Sequence, residues 1–381
     1  MYTPISISGI ASVSALGTSP QEVWQRYTSG IPAFTKKNDV WQAPIHPNHE
    51  TEIKELRKEN KSYKELDRSV ILAMLAAKRA MPESFATYKN VGVNIGSSRG
   101  ATSLFEKYYD EFTEKESVTP LTSPTTTLGN ISSWVGQQLG AQGPVISHSV
   151  TCSTSLHAML NGIAWLQAGM ADGFVVGGGE APLTPFTIGQ MQALKLYSKS
   201  TNEWACESLK LSKKSNSMVL GEAGAIAFLE KGISNRTRAL VSGYGYASEK
   251  LDHNISISES AHCFQESMRM AMAHAQLDLV DAIIMHAPGT VKGDQAEYNA
   301  VSEVFGNKLP QLTTNKWILG HTLGASGMMS VEMAVLMLEY NQFIKTPFYN
   351  NTSDVPTTLK NILINAVGFG GNAVSIIVTK L

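Results

Sequence analysis

The sequence predicts a layered α/β protein built from two similar halves, with helices around and between sheets. Three observations predict it. Short β-branched runs alternate with apolar stretches at helical spacing along the chain. The second half opens as the first does, Leu240-Val241-Ser242-Gly243-Tyr244-Gly245 answering Ile5-Ser6-Ile7-Ser8-Gly9. A length of 381 residues with 43% apolar content supports a sizeable core, in two domains or one large unit built twice. The dividing segment is Lys231-Gly232-Ile233-Ser234-Asn235, which gives halves of residues 1–233 and 234–381.

In chain order, Ile5 to Ala11 reads as a strand, and Ser19-Pro20-Gln21-Glu22 as a capped helix start. Residues 34–65 are polar and irregular, ending near the charged run Lys54 to Lys61. Val70 to Ala77 is apolar all round and predicts a buried helix. Val91 to Gly96 predicts a strand running into the loop Ser97-Ser98-Arg99-Gly100. That loop loosely suggests a phosphate cradle, but its glycine spacing fits neither standard nucleotide motif. Val145-Ile146 reads as a buried strand before a helix from Leu156 to Leu166. Gly173 to Glu180 is a strand closing on three glycines, where another backbone must approach closely. Residues 196–217 read as loop, and Ala225 to Glu230 as the next strand. In the second half Ala282 to Met285 is a strand ending at His286. A long apolar helix ends at Tyr340, and Ile362 to Asn365 with Ser375 to Val378 form a final hairpin.

Composition narrows the function. A net charge of -1 argues against a global field for nucleic acid. Three cysteines make no disulfide framework and suit a reducing compartment. Met1 to Pro4 leads into strand-like sequence without a basic or long apolar leader, and no apolar run approaches the ~18 residues of a membrane span. The expectation is a soluble cytoplasmic protein.

Three turns carry the chemistry. Cys152 lies between strand-like and helical sequence, with Ser153 or Thr154 as cap. The positive end of that helix favours the thiolate, the nucleophilic form. Cys206 and Cys263 lack this setting and read as structural. His286 ends a strand before Ala287-Pro288-Gly289-Thr290, and His321 follows Lys316-Trp317-Ile318-Leu319-Gly320 just before a helix start of small residues.

These three motifs, in this order, resemble the elongating β-ketoacyl-acyl-carrier-protein synthases of the thiolase-like superfamily. The similarity runs nearly end to end, from Ile7-Ser8-Gly9-Ile10 to Gly368-Phe369-Gly370-Gly371-Asn372. It implies a thiolase-like fold, layered αβαβα, and a decarboxylative Claisen condensation of a Cys-bound acyl chain with a malonyl group on acyl carrier protein, in fatty-acid, polyketide or polyene biosynthesis. Cys152 would be the acyl acceptor, His286 and His321 would serve decarboxylation and condensation, and Lys316 with its acidic companion Glu297 would hold the site's field. The backbone N–H groups of Cys152 and Phe369 would form the oxyanion hole, with Phe369 as gate. Thr290 would hold the phosphopantetheine arm, while Lys61, Lys64 and Arg68, on one face if helical, would dock the acidic carrier. The resemblance further implies that no cofactor or metal is bound by the enzyme. It implies a dimer with Gly173 to Glu180 as interface strand, of identical chains or with a ketosynthase-like subunit. A non-catalytic, chain-length-factor-like subunit is the alternative, as is a thiolase-like enzyme acting on coenzyme A esters. Departures are Thr151, where the family usually has alanine, and Pro288, where it has threonine. Pro124 to Leu128 roughly matches a segment lining the acyl pocket and dimer interface.

Overall fold

β1 (Ile5–Ser14) is buried along its whole length. It leads into α1 (Pro20–Ser29), where the Ser19 hydroxyl accepts from the Glu22 N–H and the Glu22 carboxylate takes the Ser19 N–H. This capping box, with Pro20 in the first turn, satisfies N–H groups that a helix start leaves without partners. The structure, a computed structural model, describes residues 3–250, 257–350 and 356–381.

Residues 34–65 hold more regular structure than their composition predicts. They form a hairpin of β2 (Thr35–Lys37) and β3 (Val40–Ala43), then α2 (Glu50–Glu59). The charged run forms most of α2, which buries only Ile53 and Leu56, too few apolar residues to announce a helical period. α3 (Arg68–Ala80) is buried at every position from Ser69 to Ala77, as expected. β4 (Val91–Gly96), α4 (Thr102–Lys115), α5 (Thr122–Thr126) and α6 (Asn130–Leu139) follow. Next come β5 (Val145–Ile146), α7 (Thr154–Gln167), β6 (Gly173–Glu180) and α8 (Pro185–Ala193). β7 (Leu220–Gly221) extends the small sheet by pairing with β3, and β8 (Ala223–Lys231) closes the first half. The second half comprises β9 (Ala239–Ser248), α9 (His262–Ala275), β10 (Ala282–Ile284), α10 (Val291–Phe305), β11 (Gln311–Thr313), α11 (Lys316–Leu319), α12 (Ser326–Tyr340), β12 (Asn361–Gly368) and β13 (Asn372–Thr379).

The large sheet runs β11-β10-β12-β13-β9-β1-β8-β6-β4-β5. Outward from the central β1–β9 pair the two sides repeat one another: β8 answers β13, β6 answers β12, β4 answers β10 and β5 answers β11. Parallel and antiparallel pairings match throughout. The halves join where Ile5 to Ile7 pair with Ala239 to Val241. α7 and α12 occupy matching places and pack on each other and on strands of both halves. Leu156, Met159, Ile163 and Leu166 of α7 are fully buried there, each contributing about 1.5–3 kcal/mol. No helix among the described residues is long and apolar enough to cross a membrane.

Two strand expectations need correction. β5 is a two-residue edge strand rather than a buried one, and Val145 is 42% exposed. β6 cannot be an interface strand, because β4 and β8 pair with its two sides and leave it no free edge. Its glycines do admit other backbones: a Cβ at Gly178 would lie 2.7 Å from the Gly324 carbonyl oxygen, in the loop after His321.

Candidate active site

The turn from β5 into α7 is strained where it presents the cysteine. Thr151 has φ of +48°, a conformation a β-branched residue rarely adopts. A 3₁₀ turn over Thr151–Ser153 then runs into α7. Neither expected cap acts as one: the Ser153 hydroxyl donates back to the Val150 carbonyl, and the Thr154 hydroxyl donates to the Thr151 carbonyl while accepting from Val150 N–H. The side chains that looked like caps instead tie the turn. Gly368, at the end of β12, packs against it so closely that a Cβ there would lie 2.0 Å from Thr151 Oγ1. Phe369 follows, 40% exposed, at the β12–β13 turn.

The Cys152 side chain is not a resting thiolate. Burial pushes the thiol up to about 12, Glu180 adds to the rise, and Lys316 and Arg99 oppose it. The helix start therefore acts on charge that appears as the proton leaves. Cys206 and Cys263 are also buried and free, and burial raises both.

His286, after β10, and His321, after α11, come together from two loops of the second half. Their rings meet edge to face, centroids 5.2 Å apart. His321 follows Gly320, whose φ of +73° suits glycine, and its backbone is bridged on both sides: its N–H donates to Val219 O and its carbonyl accepts from Gly221 N–H. Burial, then Lys316, pushes His321 down to about 3. His286 is lowered well below the ordinary value by burial, Lys316 and His321. Both are neutral imidazoles. Nδ1 of each ring is buried without a hydrogen-bond partner among the described residues.

Lys316, the first residue of α11, is 1% exposed. Its Nζ donates to Asn315 Oδ1 at 3.3 Å, and the Asn315 amide donates to Ser330. Burial lowers the ammonium to about 8, against the attraction of Glu297. The expected lysine–carboxylate pair is not a direct one. Glu297 accepts instead from the backbone N–H groups of His286 and Ala287, both at 2.8 Å, and from the Asn365 amide. Burial pushes its carboxyl up to about 7. Asn315 and Asn365 were invisible in the sequence, since lone asparagines carry no motif. Glu180 had a signal, as an acid closing a buried glycine-rich strand, but its partners come from loops distant in sequence.

Cys152, His286, His321, Thr290 and Phe369 line one cavity of about 490 Å³, with Glu297 in its wall. Thr290 caps α10 by accepting from Gly293 N–H, which leaves its O–H free to donate into the cavity. Pro288 also lines it. Pro124 to Leu128 does not: most of it folds as α5, outside this wall. The basic trio divides. Lys61 and Lys64 are exposed, around a 3₁₀ turn, whereas Arg68 begins α3 and is forked to Glu222, with a second ion pair to Glu50. The three do not share a helical face, and Arg68 is a structural residue. Among the described residues no cluster of His, Cys, Asp and Glu is placed to hold a metal ion.

A buried thiol at a helix start facing two neutral imidazoles across one cavity is equipped for thiol-dependent acyl transfer. Residues 2–232 match the family described as beta-ketoacyl synthase, N-terminal domain, and residues 238–349 match the C-terminal domain. The chain belongs to the beta-ketoacyl synthase family. Among curated relatives, 3-oxoacyl-[acyl-carrier-protein] synthase 2 of Coxiella burnetii is 26% identical, covering 99% of this chain and 98% of its own. Two solved structures share the thiolase-like fold. One is a type II PKS acyl-carrier protein in complex with its ketosynthase bound to the hexaketide (TM-score 0.86, 20% identity, 100% of both chains). The other is a ketosynthase in complex with its chain length factor from Xenorhabdus doucetiae (TM-score 0.83, 20% identity, 100% of this chain and 98% of the other).

Proposed function

We propose that this protein is a β-ketoacyl-acyl-carrier-protein synthase. The observation that carries the reading is the shared cavity of Cys152, His286 and His321. In the first step Cys152 Sγ attacks the carrier thioester, and the thiol's proton ends on the departing carrier thiolate. The malonyl thioester then loses CO2, and the electron pair spreads onto its thioester oxygen. With the proton on Nε2, both imidazoles donate to that oxygen, and being neutral they are poor acids that leave the carbanion unquenched. One such donor is typically worth ~100- to 1,000-fold in rate. The carbanion attacks the Cys152 thioester, the oxyanion is held by the N–H groups of Cys152 and Phe369, and the thiolate leaves and takes a proton from solvent. The balance closes without an oxidant or reductant, so the reading calls for no enzyme-bound cofactor or metal. Thr290 holds the phosphopantetheine arm, and the carrier's acidic face meets Lys61 and Lys64.

Assembly follows from the sheet edge. β5 is the terminal strand of the large sheet, with only β4 beside it, and on α7 Leu160 and Trp165 are half-buried while Ala164 is exposed. A second copy across this edge, or a ketosynthase-like subunit, completes it. The setting we infer is the cytoplasm, where the three free cysteines stay reduced.

Purified enzyme given acyl-carrier and malonyl-carrier should release CO2 and form a 3-oxoacyl-carrier two carbons longer. Activity with the coenzyme A esters alone, and none with the carriers, would reject this reading. Retained Cys152 and both histidines disfavour the non-catalytic subunit.

A further inference from the structure

The loop from Ser97 to Gly100, which fits no nucleotide motif, puts a guanidinium into the wall of the catalytic cavity. Its backbone is held in one place. Glu180, wholly buried at the end of β6, accepts from Ser98 N–H at 2.7 Å, Arg99 N–H at 3.0 Å and the Ser97 hydroxyl at 2.8 Å. The same carboxylate takes Gly324 N–H at 2.9 Å, so the loop is tied to the segment after His321. The Arg99 side chain then reaches α8, where Nη2 donates to the Gln190 amide oxygen. α8 also supplies Ile188 and Met191 to the apolar cluster that includes Cys152.

The partner is an amide, and no carboxylate pairs with this guanidinium among the described residues. A guanidinium carries five N–H donors, of which one amide oxygen engages only part. In the free enzyme water can serve the remainder. A saturated acyl chain lying along this wall would displace that water and return no acceptor, leaving donors unmet in a partly buried place. An acyl chain with an oxygen at that depth restores the bond, and charge-assisted bonds are the stronger kind.

We propose that Arg99 is a specificity-determining residue and that the acyl group loaded on Cys152 bears an oxygen acceptor along its chain, a keto or carboxylate oxygen. This rests on Cys152 being the acyl acceptor. Met191, Leu196 and Met218 cover the carbon portions of the chain, and Arg99 reads its oxygen.

The test follows the rate at which intact-protein mass reports acylation of Cys152, using N-acetylcysteamine thioesters so that carrier docking plays no part. Three six-carbon acyl groups are compared: hexanoyl, 5-oxohexanoyl and adipoyl. The wild type should load at least one oxygenated group about tenfold faster than hexanoyl, the worth of one charge-assisted hydrogen bond. Preference for 5-oxohexanoyl assigns keto chains, and preference for adipoyl assigns carboxylates. Arg99→Met should abolish the preference, and Arg99→Lys should retain part of it for adipoyl. Because ratios are read within each variant, a general loss of stability cancels. Equal ratios in wild type and Arg99→Met, or an equal fall for all three acyl groups, would overturn the proposal while leaving Cys152 as acceptor. No acylation by any thioester would overturn the role of Cys152 itself.

Discussion

Glu297 holds His286 through the main chain: its carboxylate accepts the His286 N–H at 2.8 Å, and the next N–H, of Ala287, at the same distance. Ala287 has φ of +24°, so this acid pins a turn that few residues adopt unaided. Glu297→Gln would set an amide NH2 against one of those N–H groups. Malonyl-carrier decarboxylation should fall about 10- to 100-fold, matching the roughly 1–3 kcal/mol of an unmet buried donor. Acylation of Cys152 should change far less. Measuring the two half-reactions separately decides this, and an equal fall in both would show that Glu297 supports the fold at large.

The histidines should not titrate near neutrality. His321 is pushed down to about 3 from an ordinary 6.5, so it stays neutral at any pH above that lowered value. In nitrogen-15 spectra the His321 and His286 ring nitrogens should keep neutral shifts from pH 8 to pH 5. A midpoint near 6.5 would contradict the site's electrostatics. The sign for stability follows. Unfolded imidazoles bind protons that the folded ones refuse, so stability is present above 6.5 and is lost as pH falls below it.

Lys64 and Arg68 should separate in the bench as they do in the fold. Lys64→Glu should raise KM for carrier-bound substrates several-fold at low salt and less at high salt, with melting temperature unchanged. Arg68→Glu should lower the melting temperature, since it turns two ion pairs, to Glu222 and Glu50, into repulsions. The reverse pattern would return Arg68 to the docking face.

The β5 edge gives a test of assembly. Val145→Lys, at a 42% exposed edge position, should shift light-scattering mass from dimer toward monomer without unfolding the chain. A monomeric wild type at micromolar concentration would remove the edge from the account.

Most of the fold was legible because its strands are buried apolar runs and its halves echo one another, as the opening residues of β1 and β9 show. α2 was missed because two buried residues in ten make no visible period. The burial of β5 and the position of β6 in the sheet were misjudged because sequence reports a strand's composition and not its neighbours. At the site, Cys152, His286 and His321 stood out through their turns. The direct Lys316–Glu297 pair did not appear, because spacing can bring a carboxylate near an ammonium while the backbone N–H groups of the His286 turn take its oxygens. The thiolate expected at Cys152 gave way to burial, a tertiary property that the helix start alone does not reveal.

The central claim is that Cys152 carries the acyl chain. Enzyme incubated with acyl-carrier protein alone, with no malonyl substrate, should gain the mass of one acyl group per chain, located by fragmentation on the peptide containing Cys152. Cys152→Ala should keep its melting temperature and gain nothing. An acyl group found on another residue, or a Cys152→Ala protein that still takes up acyl mass, would contradict the account.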